Sequence, residues 1–280
     1  MMNNFFLVIP TRNRLDYLSN LLVDLNAFKN NISQVIIIDQ STDDISQEII
    51  KLNLEYHYVF EINDRKNSVN NSRNQALKHY QDEEWLFFLD DDLRIPAIAF
   101  DKILKHLEPN VIDVLIPGIV FDGIDNEVKH HTILDTIAKP NNFAKPRFRL
   151  QVCSGLNIVK STIFEKIGFN FDENFTIWGD DWDYGMRLLN AGANIYFQPD
   201  ILVEHLHGQV GGQREKLNSL NIYFEKQKLY FYFYKKHFSR SVLKQVYFFS
   251  VIESVKYFLK TASVLKIYYN IKAFKRAKKM

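Results

Sequence analysis

Two residue types are scarce in this chain, and each scarcity excludes a class of site. Cys153 is the single cysteine. No intramolecular disulfide can form, and no cysteine cluster can hold zinc or an iron–sulfur centre. The usage fits a reducing compartment. Glycine is withheld early: ten occur in 280 residues, and the first is Gly118. The segment before it can contain neither a Rossmann fingerprint nor a Walker loop. Long apolar runs are missing too. No stretch reaches the ~18 uncharged apolar residues of a spanning helix. The Met1-Met2-Asn3-Asn4 start lacks the charged and apolar regions of a secretory signal, so none is expected.

The residues that are present describe a folded chain with a divided charge. It is 46% hydrophobic and 24% charged, enough to bury a substantial core. The net charge of +2 conceals an asymmetry: Asn221–Met280 carries 14 Lys/Arg against 2 Asp/Glu, a local +12, which leaves −10 for the first 220 residues. The two parts are expected to face different partners.

Short apolar runs alternate with helical patterns through the first half. Phe5–Ile9, Val35–Ile38, Tyr56–Phe60 and Trp85–Leu89 read as buried strands. Leu15–Phe28, Asp44–Leu52, Asn71–Tyr80 and Ala97–Leu107 read as the helices between them. This alternation predicts an α/β fold with a mostly parallel sheet covered by helices. From Val111 to about Leu150 the pattern weakens, and Lys139–Arg149 reads as a loop. A strand over Val152–Val159, helices over Ser161–Ile167 and Asp180–Ala191, and a strand over Asn194–Gln198 follow. After Gln213 the chain reads as largely helical.

In such sheets ligands bind beyond the carboxyl ends of the strands, and those ends carry unusual residues. Pro10-Thr11-Arg12-Asn13-Arg14 follows the first strand, Asp39-Gln40-Ser41-Thr42-Asp43 the second, and Asp90-Asp91-Asp92 the fourth. Three adjacent carboxylates repel one another, and a cation offsets that cost. Alternation along an extended segment points Asp90 and Asp92 the same way. Oxygen ligands favour Mg²⁺ or Mn²⁺ over zinc. A solvated acidic loop, or a set of N-caps for the helix after Pro96, is the competing explanation. A second acidic cluster, Trp178-Gly179-Asp180-Asp181-Trp182-Asp183, pairs carboxylates with large aromatics. Helix-dipole stabilisation accounts for acids in a first turn. The aromatics add a sugar-stacking wall and a means of raising a carboxylate toward a useful base. His205 and His207 share one face parity after a short strand and are candidate ligands, although isolated histidines are more often packing residues.

Taken in order, these segments, together with Asn71-Ser72-Arg73-Asn74, resemble the inverting family-two glycosyltransferases of the GT-A fold, from Phe5 to Gly208 and more weakly beyond. The Asp-Asp-Trp-Asp version resembles galactofuranosyl- and rhamnosyl-type members in particular. The resemblance implies that Pro10, Thr11 and Arg12 line the nucleoside pocket, that Asp39 accepts from the base, and that Arg73, Asp90 and Asp91 hold the donor. It also implies Asp92 and His205 as metal ligands, with His207 the alternate, and Asp181 as catalytic base. Trp178, Asp180 and Trp182 then support the acceptor side. Two departures stand out: Asp180 where the family usually has Glu, and Val69 where many members carry glycine. The implied chemistry is a single in-line displacement on a nucleotide-diphosphate sugar, with Mn²⁺ or Mg²⁺, in bacterial surface polysaccharide assembly.

The implied organisation is a catalytic unit over residues 1–213, nucleotide-binding through 110 and acceptor-binding after it, with a helical basic and aromatic region over 214–280. Helices that mix lysine with aromatics can lie in a bilayer interface, so the expected partners are the sugar donor, a saccharide or lipid-linked acceptor, and the inner face of the cytoplasmic membrane. Nucleic acid is disfavoured by the acidic remainder. Two other readings are a nucleotidyltransferase, which needs a glycine-rich loop this chain lacks, and a non-catalytic relative.

Overall fold

The computed structural model describes residues 4–63, 65, 68–107, 111–121, 152, 155–176, 178–206, 219–261 and 263–280. The strands are β1 Phe5–Thr11, β2 Ile32–Asp39, β3 Tyr58–Ile62, β4 Trp85–Leu89, β5 Leu93–Arg94, β6 Val114–Phe121, β7 Leu156–Lys160 and β8 Ile195–His205. The helices are α1 Leu15–Asp24, α2 Ser46–Ile50, α3 Val69–Ala76, α4 Ala97–Leu107, α5 Ser161–Lys166, α6 Asp180–Asn190, α7 Ser219–His237, α8 Arg240–Thr261 and α9 Leu265–Ala277. One sheet runs in the order β3-β2-β1-β4-β7-β6-β8-β5. β1 through β4 pair in parallel, as do β6 and β8, while β7 and β5 run against their neighbours.

The central strands β1 and β4 are almost entirely apolar because both faces are covered. Phe5, Leu7 and Ile9 face one layer with Leu18, Leu22, Phe28 and Phe100. Phe6 and Val8 face the other, with Phe164, Tyr184 and Leu188. Phe88 centres that second layer, with rings of Phe164, Phe171 and Tyr184 at 5.3, 4.9 and 6.3 Å. Such pairs are each worth about 0.5–1.5 kcal/mol beyond area burial.

Three differences from the sequence expectation have local causes. The helix expected over Leu15–Phe28 tightens into a 3-10 segment at Leu25–Asn31. The strand β6 lies where periodicity weakens, because Pro117-Gly118 interrupts it. The strand expected to end at Gln198 continues to His205. A single register shift explains the last two: Pro117 pairs with Gln198, and Gly118 with Leu202. A bulge takes up Pro199-Asp200-Ile201 opposite Pro117-Gly118, so pairing resumes beyond both breakers.

The last three helices form a third apolar cluster, in which Leu229, Phe231, Val246 and Ala273 pack with Phe175, Trp182 and Met186. Carboxylates pin it to the sheet layer. Asp183 of α6 meets Lys236 at 2.6 Å and His237 at 2.7 Å. Asp172 accepts from Tyr232 (2.9 Å), Lys236 (2.7 Å) and the Asn174 amide (2.9 Å). Burial pushes the Asp172 carboxyl up, but these donors outweigh it and hold the group below its ordinary value. A depressed pKa adds stability above the unfolded value that disappears as pH falls through the folded one. Asp172→Asn should therefore cost roughly 1.5–3 kcal/mol at pH 7. Thermal unfolding should show the gap between variant and parent closing as pH falls below the ordinary aspartate value of about 3.9; a gap constant with pH counts against the assignment.

Candidate active site

The acidic run follows β4 as the chain turns toward β5. Asp91 packs against the end of β1: Thr11 Oγ1 donates to it at 2.7 Å and Arg14 Nη1 at 3.0 Å. Burial raises the Asp91 carboxyl, partly opposed by Arg14, to about 6. Arg73 Nη2 donates to Asp90 at 3.3 Å. Asp92, only 3% exposed, meets Arg14 Nη1 at 2.9 Å and His205 Nε2 at 2.9 Å.

His205 arrives there through pairing. The chain reverses after Asp92, and β5 lies antiparallel to the end of β8 with Leu93 opposite His205. The Leu206 amide donates to the Asp92 carbonyl at 2.9 Å. The reversal is anchored by Arg94, whose Nε and Nη2 grip both oxygens of Asp24 at 2.8 and 3.0 Å. One ligand atom from each of Asp90, Asp92 and His205 lies within 4.8 Å of the others. Burial lowers the His205 pKa, but the Asp92 and Asp90 carboxylates outweigh it, so the net shift is upward. Asp90 moves up through burial, against the pull of Arg73 and with the push of Asp92.

Arg73 ties the second acidic cluster to the first. It is 2% exposed, and its Nη1 donates to Asp180 at 3.1 Å and to Asn70 at 3.1 Å. The helix α6 starts on Gly179 at φ 88°, a left-handed conformation that side chains resist. Its acids then diverge: Asp180 reaches Arg73, Asp183 reaches the appended helices, and Asp181 stands between them, part-exposed, its carbonyl accepting from Val152 N at 3.4 Å. On the β2 side, Asp39 Oδ1 accepts from the Ser41 amide at 2.8 Å, the Gln40 amide donates to the Thr11 carbonyl at 2.9 Å, and Ser41 Oγ accepts from the Asn13 amide at 2.7 Å. Hydrogen bonds thus connect Thr11, Asp91, Arg14, Asp92 and His205 in one chain, and Asp90, Arg73 and Asp180 in a second beside it. Pro10 and Arg12 flank Thr11 at the end of β1, and all of β1 is buried.

The donor set suits a hard divalent cation. Asp90, Asp91, Asp92 and Asp180 face two guanidiniums, Arg14 and Arg73, which leaves a formal excess of two negative charges with His205 neutral. Two carboxylates and an imidazole accommodate Mn²⁺ well, and Mg²⁺ through the oxygens.

Some placements were not evident from sequence. Arg14 bridges Asp91 and Asp92. The Gly155 carbonyl accepts from the Asp90 amide at 2.7 Å, and a Cβ there would stand 2.1–2.4 Å from the Asp90 carboxylate. Nothing local in Cys153-Ser154-Gly155-Leu156 signals that contact. Of the two tryptophans read as a sugar wall, Trp182 is buried against Phe233 and Tyr230 of α7, while Trp178 stays part-exposed at 4.4 Å from it. His207 lies outside the described residues.

A curled sheet with helices on both faces, and acids gathered at its strand ends, define a GT-A glycosyltransferase. The chain belongs to glycosyl transferase family 2, whose model matches residues 6–168. Among solved structures, S. aureus TarS 1–349 in complex with UDP-GlcNAc is similar with a TM-score of 0.69 at 17% identity, over 98% of this chain and 81% of that one. The mannosyltransferase PcManGT from Pyrobaculum calidifontis, in complex with GDP-Man and Mn²⁺, is similar with a TM-score of 0.59 at 13% identity, over 98% and 72%. Comparison with curated proteins gives no match.

Proposed function

We propose that this glycosyltransferase is metal-dependent and inverting, and moves a sugar from a UDP- or dTDP-linked donor to a hydroxyl of a saccharide or lipid-linked acceptor in bacterial surface polysaccharide assembly. The observation that carries this reading is the convergence of Asp90, Asp92 and His205 within 4.8 Å, beside a helix that begins with Asp180 and Asp181. In this reading residues 1–213 form the catalytic unit and 214–280 the appendage.

Asp90, Asp92 and His205 hold the cation, and Arg14 and Arg73 position the carboxylates. A bound divalent ion supplies positive charge beside the donor diphosphate and stabilises the leaving group. Pro10, Thr11, Arg12 and Asp39 line the nucleoside side. Asp181 takes the acceptor hydroxyl proton as that oxygen bonds to the anomeric carbon and the bond to the diphosphate breaks. Attack opposite the leaving group inverts the anomeric centre.

Release of nucleoside diphosphate from a panel of UDP- and dTDP-sugars, with Mn²⁺ and after chelation, tests the reading. Metal-dependent release supports it. Pyrophosphate exchange points to nucleotidyl transfer, and silence across donors that bind points to a non-catalytic relative. Gly155→Ala should weaken Mn²⁺ binding by about 10–100-fold, the usual cost of disturbing a ligand's support, because the new methyl displaces Asp90. Calorimetric titration with Mn²⁺ reads this directly, and an unchanged affinity removes Asp90 from the ligand set.

The appendage supports a peripheral membrane contact at the inner face of the cell membrane. No described helix is long and apolar enough to cross a bilayer. On α8, Phe248, Val255 and Leu259 share one helical face and are 61%, 40% and 77% exposed, beside a strongly basic sequence.

A further inference from the structure

The appended helices enclose a cavity of about 1240 Å³ that the proposed chemistry leaves without an occupant. Trp178 and Trp182 form one wall, and Tyr223, Tyr230, Phe249 and Tyr257 line the rest. Lys226, Lys256, Lys260 and Lys266 also face it, against a single acid, Glu253. Lys226 stands 5.2 Å above the Trp178 ring, and Lys266 lies 3.7 Å above Tyr257. Aromatic rings interleaved with cations suit a hydroxylated ring that carries negative charge.

Two further atoms narrow the class. Asn270 is 1% exposed. Its Nδ2 donates to the Ser250 carbonyl at 3.0 Å and to Ser254 Oγ, which fixes the orientation of the amide. Its Oδ1 is buried without a hydrogen-bond partner, as is Gln227 Oε1. Both residues line the cavity. A buried acceptor left unpaired costs about 1–3 kcal/mol, so the fitting ligand brings donors. An acyl chain has none, and an inorganic anion has no ring to lay on the aromatics. Two of its lining residues, Trp178 and Trp182, bracket Asp180 and Asp181 at the start of α6.

We propose that this cavity is the acceptor site and that the acceptor is an anionic saccharide, bearing phosphate or carboxylate groups. Its hydroxyls would pair with Asn270 and Gln227, its rings would lie against the part-exposed Trp178 and the exposed Phe249, and its charge would be met by the four lysines. This deepens the transferase reading and rests on it only for the word acceptor; binding of the saccharide can be measured without donor.

The full-length protein is titrated calorimetrically with pentamannose 6-phosphate, tetragalacturonate and neutral mannopentaose. In parallel, flotation is measured with neutral phosphatidylcholine vesicles, with or without a polyprenyl-phosphate-linked saccharide, and with vesicles containing phosphatidylglycerol. The parent should bind at least one charged saccharide about tenfold or more tightly than mannopentaose. Lys256→Glu/Lys260→Glu, both at exposed positions, should remove that preference while Mn²⁺-dependent nucleotide binding persists. Asn270→Asp should weaken binding of charged and neutral saccharides unequally, the charged ones more. Preference for the soluble probes assigns a free polymer as the source, and preference for the saccharide-bearing vesicles a lipid-linked one. Equal affinity for mannopentaose, a charge-reversed variant that binds as the parent does, or flotation on phosphatidylglycerol vesicles with no saccharide binding would each overturn the proposal. Charge-sensitive saccharide binding without nucleoside diphosphate release would instead overturn the transfer reaction and leave the saccharide site standing.

Discussion

Asp181→Asn is expected to lower turnover by about 10²–10⁴-fold, the range associated with loss of a positioned general base, while donor affinity stays within a few fold. The geometry makes this substitution a clean one. Asn is nearly isosteric, and other side chains also anchor the start of α6. Asp180 is held by Arg73 at 3.1 Å, Asp183 by Lys236 and His237, and the contact of residue 181 with Val152 is made by its backbone. Single-turnover kinetics with saturating donor, combined with nucleotide titration, separate the two quantities. Near-normal turnover would remove Asp181 from the reaction and leave Asp180 as the remaining part-exposed acid of that turn.

Asp92→Asn should have an effect of similar size by a different route. Asp92 is the carboxylate that His205 and Arg14 share. Asn keeps its shape but removes a charge from the proposed ligand set. Mn²⁺ affinity should fall by at least about 10–100-fold, and turnover by roughly a thousandfold, since several kcal/mol of leaving-group stabilisation rests on the ion. Excess Mn²⁺ should restore part of the turnover in this variant and none in Asp181→Asn. That contrast is the discriminating result: two variants equally insensitive to added Mn²⁺ would mean that Asp92 does not act through a cation. Chelation of the parent should reproduce the Asp92→Asn phenotype.

The residues whose placement the sequence reveals are those whose signal is local. Trp85–Leu89 is apolar at each position and bounded by charge, and the strand has those ends. Ala97–Leu107 repeats its apolar residues at helical spacing and is a helix over that span. Asp90 and Asp92 directly follow a strand, so the sequence alone places both at its carboxyl end. Elsewhere the signal is distributed. Arg14 lies 77 residues from Asp91 and 78 from Asp92, and its role exists only once β1 and β4 are neighbours. The length of β8 depends on a bulge shared with β6, so Pro199 reads as an end when its partner strand is unknown. Trp182 carries the same sequence signal whether it stacks on a ligand or fills a helix interface. The aromatic pattern of α7, in which Tyr230 and Phe233 meet it, decides for the interface.

Gly155 limits how this cleft can change. Where its bare backbone faces Asp90 there is room for nothing larger than hydrogen, so that side of the cleft cannot be rewritten by point substitution without dislodging the carboxylate. A lineage or a protein engineer seeking a new sugar preference is left with the rest of the cleft. Diversification on this scaffold should therefore be lopsided: one margin held constant by lack of space, the other open to every side chain that fits.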